Sequence, residues 1–127
     1  MKIYVAGSSR ELDRAEKMIA SAVARGHTIT FDWTIDMRAG PSDADLDAHE
    51  ARRYANMDLD AIEIADGLIF LSPTTQTKGA WVELGYAYGR GKPVVVSRPG
   101  PRVSIFEEIG ILCTDETALI TLEEKVG

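Results

Sequence analysis

Lys2-Ile3-Tyr4-Val5-Ala6, stopped by Gly7-Ser8-Ser9, decides the fold. Four consecutive apolar or aromatic residues after Lys2 read as a buried strand, and the small residues behind them end it. From Glu11 to Arg25 the spacing changes: Leu12, Ala15, Ile19 and Val23 recur at helical intervals until Gly26 breaks the pattern. His27-Thr28-Ile29-Thr30-Phe31, rich in β-branched residues, then predicts a second strand. A strand, a helix and a strand within the first thirty or so residues describe a βαβ unit.

The rest of the chain repeats the alternation. Residues 32–43, with Gly40-Pro41-Ser42-Asp43, read as a loop in which Ser42 or Asp43 caps a helix over 44–65. Gly67-Leu68-Ile69-Phe70-Leu71 predicts a third strand, stopped by Ser72-Pro73. A turn-rich loop over 74–79 leads to a helix from about 80 to 88, ended by Gly89-Arg90-Gly91. A fourth strand over 93–96, a loop over 98–101, a short helix over 105–109, a strand over 111–113 and a helix over 117–125 complete the chain. The right-handed crossovers that such an order demands give a parallel sheet covered on both faces. The expected fold is α/β: a single-domain, flavodoxin-like three-layer αβα sandwich with a five-stranded parallel sheet. Ligands of such sheets bind beyond the carboxyl ends of the strands, which selects the loops at 7–10, 32–43, 72–80 and 97–104.

Composition narrows the partners. The 127 residues carry a net charge of −6, which disfavours nucleic acid, whose binding needs a basic face. No apolar run approaches the roughly 20 residues of a membrane helix. A single cysteine, Cys113, forms no internal disulfide and points to a reducing, cytoplasmic compartment; between Leu112 and Ile111 on one side and Thr114 on the other it reads as a buried, inert thiol. No metal or cofactor is implied. His27 and His49 lack paired spacing, and Asp43-Ala44-Asp45-Leu46-Asp47 lacks the glycine and terminal glutamate of a calcium loop. Small molecules and further copies of this chain are the expected partners.

Three segments can carry chemistry. Gly7-Ser8-Ser9-Arg10 offers free N–H groups, two hydroxyls and a guanidinium at a helix start, which suits a phosphate. A capped turn with a solvated arginine fits the same residues, and the loop is neither a GxGxxG nor a Walker sequence. In Lys78-Gly79-Ala80-Trp81-Val82-Glu83-Leu84-Gly85-Tyr86-Ala87, Glu83 is expected in the first turn of a helix. A surface acid favoured by the helix dipole would be ordinary there. Apolar Trp81, Val82, Leu84 and Ala87 instead argue for a carboxylate facing a cleft, with Gly85 allowing a close approach by another element. In the segment from Asn56 to Asp66, Leu59, Ile62 and Ala65 form one apolar stripe with Asp58 beside it. Asp60 and Glu63 read as a solvated face, and Asp66 as a residue that bonds the helix–strand turn. Asp32 and Asp36 flank Trp33, and contact with a ligand or plain loop solvation fits them equally.

Together these pieces resemble the nucleoside 2-deoxyribosyltransferase family, including its 2′-deoxynucleoside 5′-monophosphate N-glycosidase branch, from Lys2 to about Gly110. The most specific element is Asp58-Leu59-Asp60-Ala61-Ile62, then Ala65-Asp66, an apolar strand, a glycine-containing loop and Glu83-Leu84-Gly85-Tyr86-Ala87. The resemblance implies that Glu83 is the nucleophile, that Asp58 assists departure of the base and that Tyr4 is the aromatic residue of the first strand beside them. It implies a phosphate role for Gly7, Ser8, Ser9 and Arg10, and substrate contacts for Asp32, Trp33, Thr77 and Gly79. Ser104 is similar to a serine lent to a neighbouring subunit's phosphate site, which implies a homodimer or larger homo-oligomer with shared sites. Trp33 stands where the hydrolases carry a histidine, and Thr77 and Lys78 where relatives place a serine or aspartate.

The implied reaction is cleavage of the N-glycosidic bond of a 2′-deoxynucleoside 5′-monophosphate through a covalent glycosyl-Glu83 intermediate. A ligand 2′-hydroxyl would compete for Glu83, which favours a 2′-deoxy substrate. Two alternatives stay open: a nucleoside 2-deoxyribosyltransferase that exchanges bases, and a non-catalytic nucleotide-binding module or a Toll/interleukin-receptor-like signalling domain.

Overall fold

The computed structural model describes residues 1–127 as a five-stranded, wholly parallel sheet in the order β2-β1-β3-β4-β5. The strands are β1 (Lys2–Ala6), β2 (Thr28–Ile29), β3 (Gly67–Leu71), β4 (Val94–Ser97) and β5 (Ile111–Cys113). The helices are α1 (Leu12–Ala24), α2 (Trp33–Ala39), α3 (Ala48–Ile64), α4 (Gly79–Gly89) and α5 (Ala118–Val126). The flavodoxin-like, doubly wound sandwich expected from the alternation is the fold observed.

Strand alternation divides the core. Ile3, Val5, Ile69, Leu71 and Val95 pack with Ala15, Met18, Ile19 and Ala22 of α1 and Leu119 and Leu122 of α5. Tyr4, Ala6, Leu68, Phe70, Val94 and Val96 point the other way, against Ala61, Ile62 and Ala65 at the end of α3 and Ala80, Leu84 and Ala87 of α4. Every residue of β3 and β4 is buried, as strands covered on both faces must be. At the carboxyl edge, Arg14 donates to the Ser72 carbonyl at 2.6 Å and the Ser97 carbonyl at 3.1 Å, and pairs with Asp115 at 2.9 Å. One guanidinium thus ties together the loops that follow β3 and β4. No helix is long and apolar enough to cross a membrane.

Four expectations need correction. β2 is two residues long rather than five, because this edge strand pairs only Lys2↔Thr28 and Ile3↔Ile29 before the chain turns away. The supposed loop at 32–43 contains α2, started by the Asp32 carboxylate, which accepts from the Thr34 N–H at 3.0 Å. The following helix begins at Ala48, capped by Asp47 bonding the Glu50 N–H at 2.8 Å; Ser42 and Asp43 instead begin a 3₁₀ turn at Asp43–Asp45. Helix α4 begins at Gly79, which moves Glu83 from the first turn to the second.

The glycines differ in what they do. A Cβ on Gly85 would meet nothing within 4 Å, so no element of this chain approaches it there, contrary to expectation. At Gly110 a Cβ would lie 2.7 Å from a Val96 methyl and 3.1 Å from the Val94 carbonyl oxygen. Gly110→Ala is therefore expected to destabilise the fold by about 1–3 kcal/mol through overpacking against β4. Gly85→Ala, in an open helical position, should stabilise it by about 0.5–1 kcal/mol. Denaturant midpoints of the two variants check both signs.

Candidate active site

Helical spacing brings the two acids together. On α4 the buried residues are Ala80, Glu83, Leu84 and Ala87, so Glu83 occupies a position on the core-facing stripe itself. On α3, Asp58 stands three and four residues before buried Ala61 and Ile62 and seven before buried Ala65, which puts it on the equivalent stripe. Both helices cover the same face of the sheet, and their stripes meet over β1. Phe70 and Trp81 stack with ring centroids 4.7 Å apart, fixing the start of α4 on β3.

Tyr4, fully buried in β1, donates its hydroxyl to Glu83 Oε2 at 2.5 Å. Glu83 is itself only 9% exposed. Burial raises its pKa to about 8; the Tyr4 hydrogen bond opposes the rise, and the Asp58 and Asp43 charges add to it. Burial likewise raises Asp58 to about 6, with repulsion from Asp43 and Asp36 adding and hydrogen bonds from Glu83 and Tyr4 opposing. With one carboxyl raised to about 6 and the other to about 8, the pair holds one proton near neutral pH. The same surroundings push the Tyr4 phenol far above its ordinary value, first by burial and then by the two acids, so it remains a donor.

Asp58 and Glu83 line a solvent-open cleft of about 140 Å³. Its lining falls into two sets. Gly7, Ser9, Thr77 and Gly79 supply small polar surface from the ends of β1 and the start of α4. Phe31, Trp33, Met37, Leu46 and Tyr54 supply an apolar, largely aromatic wall. Trp33 and Met37 lie one turn apart on α2, and the Trp33 indole is fixed by donating to the Val5 carbonyl at 2.7 Å. Asp36 and Asp43 complete a lining that has four carboxyls and no lysine or arginine.

Of the residues singled out in the sequence, Glu83, Asp58, Gly7, Ser9, Trp33, Thr77 and Gly79 line this cleft, and Tyr4 lies beneath it on Glu83. Four lie elsewhere. Asp32 is engaged as the α2 cap and also accepts from the Thr34 hydroxyl. Ser8 is buried, its hydroxyl accepting from the Arg10 N–H at 3.1 Å and lying 3.4 Å from that of Thr75. Arg10 is exposed on the 3₁₀ turn Ser9–Glu11, beside the cleft rather than in its lining. Ser104 caps the 3₁₀ turn Ile105–Ile109, accepting from the Phe106 N–H at 3.2 Å. Glu107 accepts in return from the Ser104 N–H at 3.0 Å, and Ser104 is not part of this chain's own cleft lining.

The sequence reading did not select Phe31, Met37, Asp43, Leu46 or Tyr54. The 37–46 stretch holds no long periodic pattern; the one usable signal was Trp33 and Met37 at helical spacing behind Asp32. Asp66 bonds the Lys2 N–H at 2.8 Å, as a turn residue should. Glu63, expected to be solvated, pairs with Arg90 and accepts from the Tyr86 hydroxyl at 3.1 Å. Cys113 is half-buried, and burial first, then Asp115, pushes its thiol up to about 11, away from reactivity. No group of three or more His, Cys, Asp or Glu side chains has an arrangement that would hold a metal ion.

The family model described as nucleoside 2-deoxyribosyltransferase matches residues 3–120. Among solved structures, the CMP N-glycosidase of Clostridium botulinum is 15% identical over 98% of this chain and 99% of that one, with a TM-score of 0.62. The 2-deoxyribosyltransferase of Bacillus psychrosaccharolyticus is 22% identical over 94% of this chain and 90% of that one, with a TM-score of 0.69. At these identities the likeness shows a common fold. None of the curated proteins matches the chain.

A buried carboxyl with a raised pKa makes stability depend on pH in a fixed direction. The unfolded Glu83 loses its proton near 4.5 and the folded one near 8, so between them the native state holds more protons. The contribution is whole below about pH 4.5 and is lost as pH rises through about 8. Glu83→Gln, which has no proton to lose, should therefore gain on the parent protein, by several degrees in Tm at about pH 8.5 and by much less at about pH 4.5. Melting curves at the two pH values test this; a parent that is the more stable partner at high pH would mean a carboxylate held charged.

Proposed function

The chain belongs to the nucleoside 2-deoxyribosyltransferase family, and from that premise we propose that it cleaves the N-glycosidic bond of a 2′-deoxynucleoside 5′-monophosphate with Glu83 as nucleophile. The observation that carries the reading is the Tyr4–Glu83–Asp58 constellation: two acids lining one cleft, one of them held by a buried phenol.

In the empty cleft burial holds the shared proton on Glu83. When a sugar covers the floor, the proton passes from Glu83 to Asp58, leaving Glu83 ionised and supported by the Tyr4 hydroxyl. Glu83 then attacks C1′ as the bond from C1′ to the base nitrogen breaks. The base departs with that electron pair and takes the proton from Asp58. In the second half, water attacks C1′, gives a proton to the Asp58 carboxylate and displaces Glu83. The products are free base and 2-deoxyribose 5-phosphate. The four carboxyls around the cleft favour the positive charge that develops on the sugar ring in both steps.

The phosphate is assigned to the N–H groups of Gly7 and Ser9 at the cleft rim, with Arg10 beside them. Ser104 is assigned to the cleft of a second copy, since it lies outside its own; exposed Val103, Ile105 and Phe106 around it offer apolar surface for a homodimer. A lining without lysine or arginine favours the second reading, transfer between uncharged nucleosides.

With dCMP or dGMP and excess adenine, hydrolysis predicts free base and sugar phosphate; recovery of dAMP alone would establish transfer instead. Glu83→Gln is expected to lower kcat/KM by about a thousandfold or more and Asp58→Asn by about a hundredfold, within the range of nucleophile and acid losses. Because the active pair carries one proton, kcat/KM should form a bell with flanks near pH 6 and 8, and the Asp58→Asn variant should lose that shape. A flat profile across this range would exclude the pair as acid and nucleophile.

A further inference from the structure

Two of the cleft's four carboxylates have no part in the bond-breaking scheme. Asp36, on α2, and Asp43, at the start of the 3₁₀ turn Asp43–Asp45, both line the cleft and are both exposed. The neighbouring acids are engaged within the chain: Asp32 bonds Thr34, Asp45 accepts from the Ser42 hydroxyl at 2.8 Å, and Asp47 caps α3. The side chains of Asp36 and Asp43 accept no hydrogen bond and meet no cation. They flank Trp33, Met37, Leu46 and Tyr54, the part of the lining whose flat, apolar surfaces suit a nucleobase rather than a sugar or phosphate.

An ionised carboxylate only accepts hydrogen bonds. Opposite an exocyclic amino group it forms a charge-assisted bond; opposite a ring carbonyl it meets a second acceptor, and neither group is satisfied. We infer that Asp36 and Asp43 select the base, favouring those with an exocyclic amino group, cytosine and adenine, over their carbonyl counterparts, uracil and hypoxanthine. Both acids also lie close enough to raise the Asp58 pKa, which places them within electrostatic reach of the atoms where the base is released.

This inference rests on the glycosidase reading for the identity of the ligand, so its test reads binding without turnover. In the Glu83→Gln background, dissociation constants are measured for dCMP against dUMP and for dAMP against dIMP, pairs in which an amino group becomes a carbonyl and the adjacent ring nitrogen gains a hydrogen. Tighter binding of the amino member by about tenfold or more is expected in both pairs. Adding Asp36→Asn and Asp43→Asn should bring each ratio to within about twofold, since an amide also donates to a carbonyl. Both residues are exposed and unbonded, so the substitutions leave the fold intact.

Equal binding of the pair members, or a preference that survives both substitutions, would overturn the inference. A clear preference in a protein that releases no base from any nucleotide would leave it standing and remove the glycosidase reading. Base release with equal binding would do the reverse, and no binding of any of the four would remove both.

Discussion

The hydrogen bond from Tyr4 to Glu83 is the constraint around which this side of the molecule is arranged. It joins the second-from-edge strand β1 to a helix that arrives seventy-nine residues later, and it does so inside an apolar layer. A carboxyl taken out of water without a partner destabilises a fold by several kcal/mol. The phenol offsets part of that, and protonation removes more, which is why the pKa of Glu83 is raised. An aliphatic residue at 83 would continue the stripe of Ala80, Leu84 and Ala87 with no such difficulty. A polar group kept at a core position against that alternative is a sign of chemistry, and the open cleft above it shows where the chemistry has access.

Much of this was legible in the sequence because it is written in periodicities. Buried strands with no polar interruption marked β1, β3 and β4, and helical spacing of small and apolar residues marked α1, α3 and α4. The apolar stripe of Leu59, Ile62 and Ala65 placed Asp58 beside it, and the apolar neighbours of Glu83 turned that carboxylate towards a cleft. What periodicity could not reveal was irregular: α2 is too short for a repeating apolar face and hides between Asp32 and Gly40-Pro41, so its three cleft-lining side chains, Trp33, Asp36 and Met37, read as loop residues. Caps were misjudged where several acids compete for one role. Asp43, Asp45 and Asp47 are each plausible starts for a helix, and only Asp47 has a helical N–H in range. Asp32 shows the converse: a residue chosen for the ligand is spent on the backbone.

The scaffold explains why the cleft lies where it does. Parallel strands end at one edge of the sheet, and the loops after β1 and β3 diverge there because α1 and α4 cover opposite faces. Arg14 fastens the carboxyl ends of β3 and β4 to Asp115, so the loop that carries Thr75 and Thr77 leaves a fixed anchor. Glu11 extends this anchoring by accepting from the Thr74 N–H at 3.1 Å. The floor of the site is therefore sheet and helix, while the wall comes from the segment between β2 and α3, with Tyr54 added from α3. Catalytic geometry is thus built into the layers, and selectivity is left to a segment that can vary without disturbing them.

Charge distribution links these parts into one mechanism. A cleft with four carboxyls and no cation of its own is poorly suited to an anion at its floor, yet well suited to a sugar acquiring positive charge. The burial that raises Asp58 and Glu83, helped by the charges of nearby carboxyls, keeps a proton at the site near neutral pH. Arg10 is an exposed cation beside the cleft, on the 3₁₀ turn outside its lining. The acids thus lie at the floor of the cleft and the tryptophan wall to one side of them. The destabilising burial of two acids and the ability to break a glycosidic bond are, on this view, consequences of one electrostatic fact.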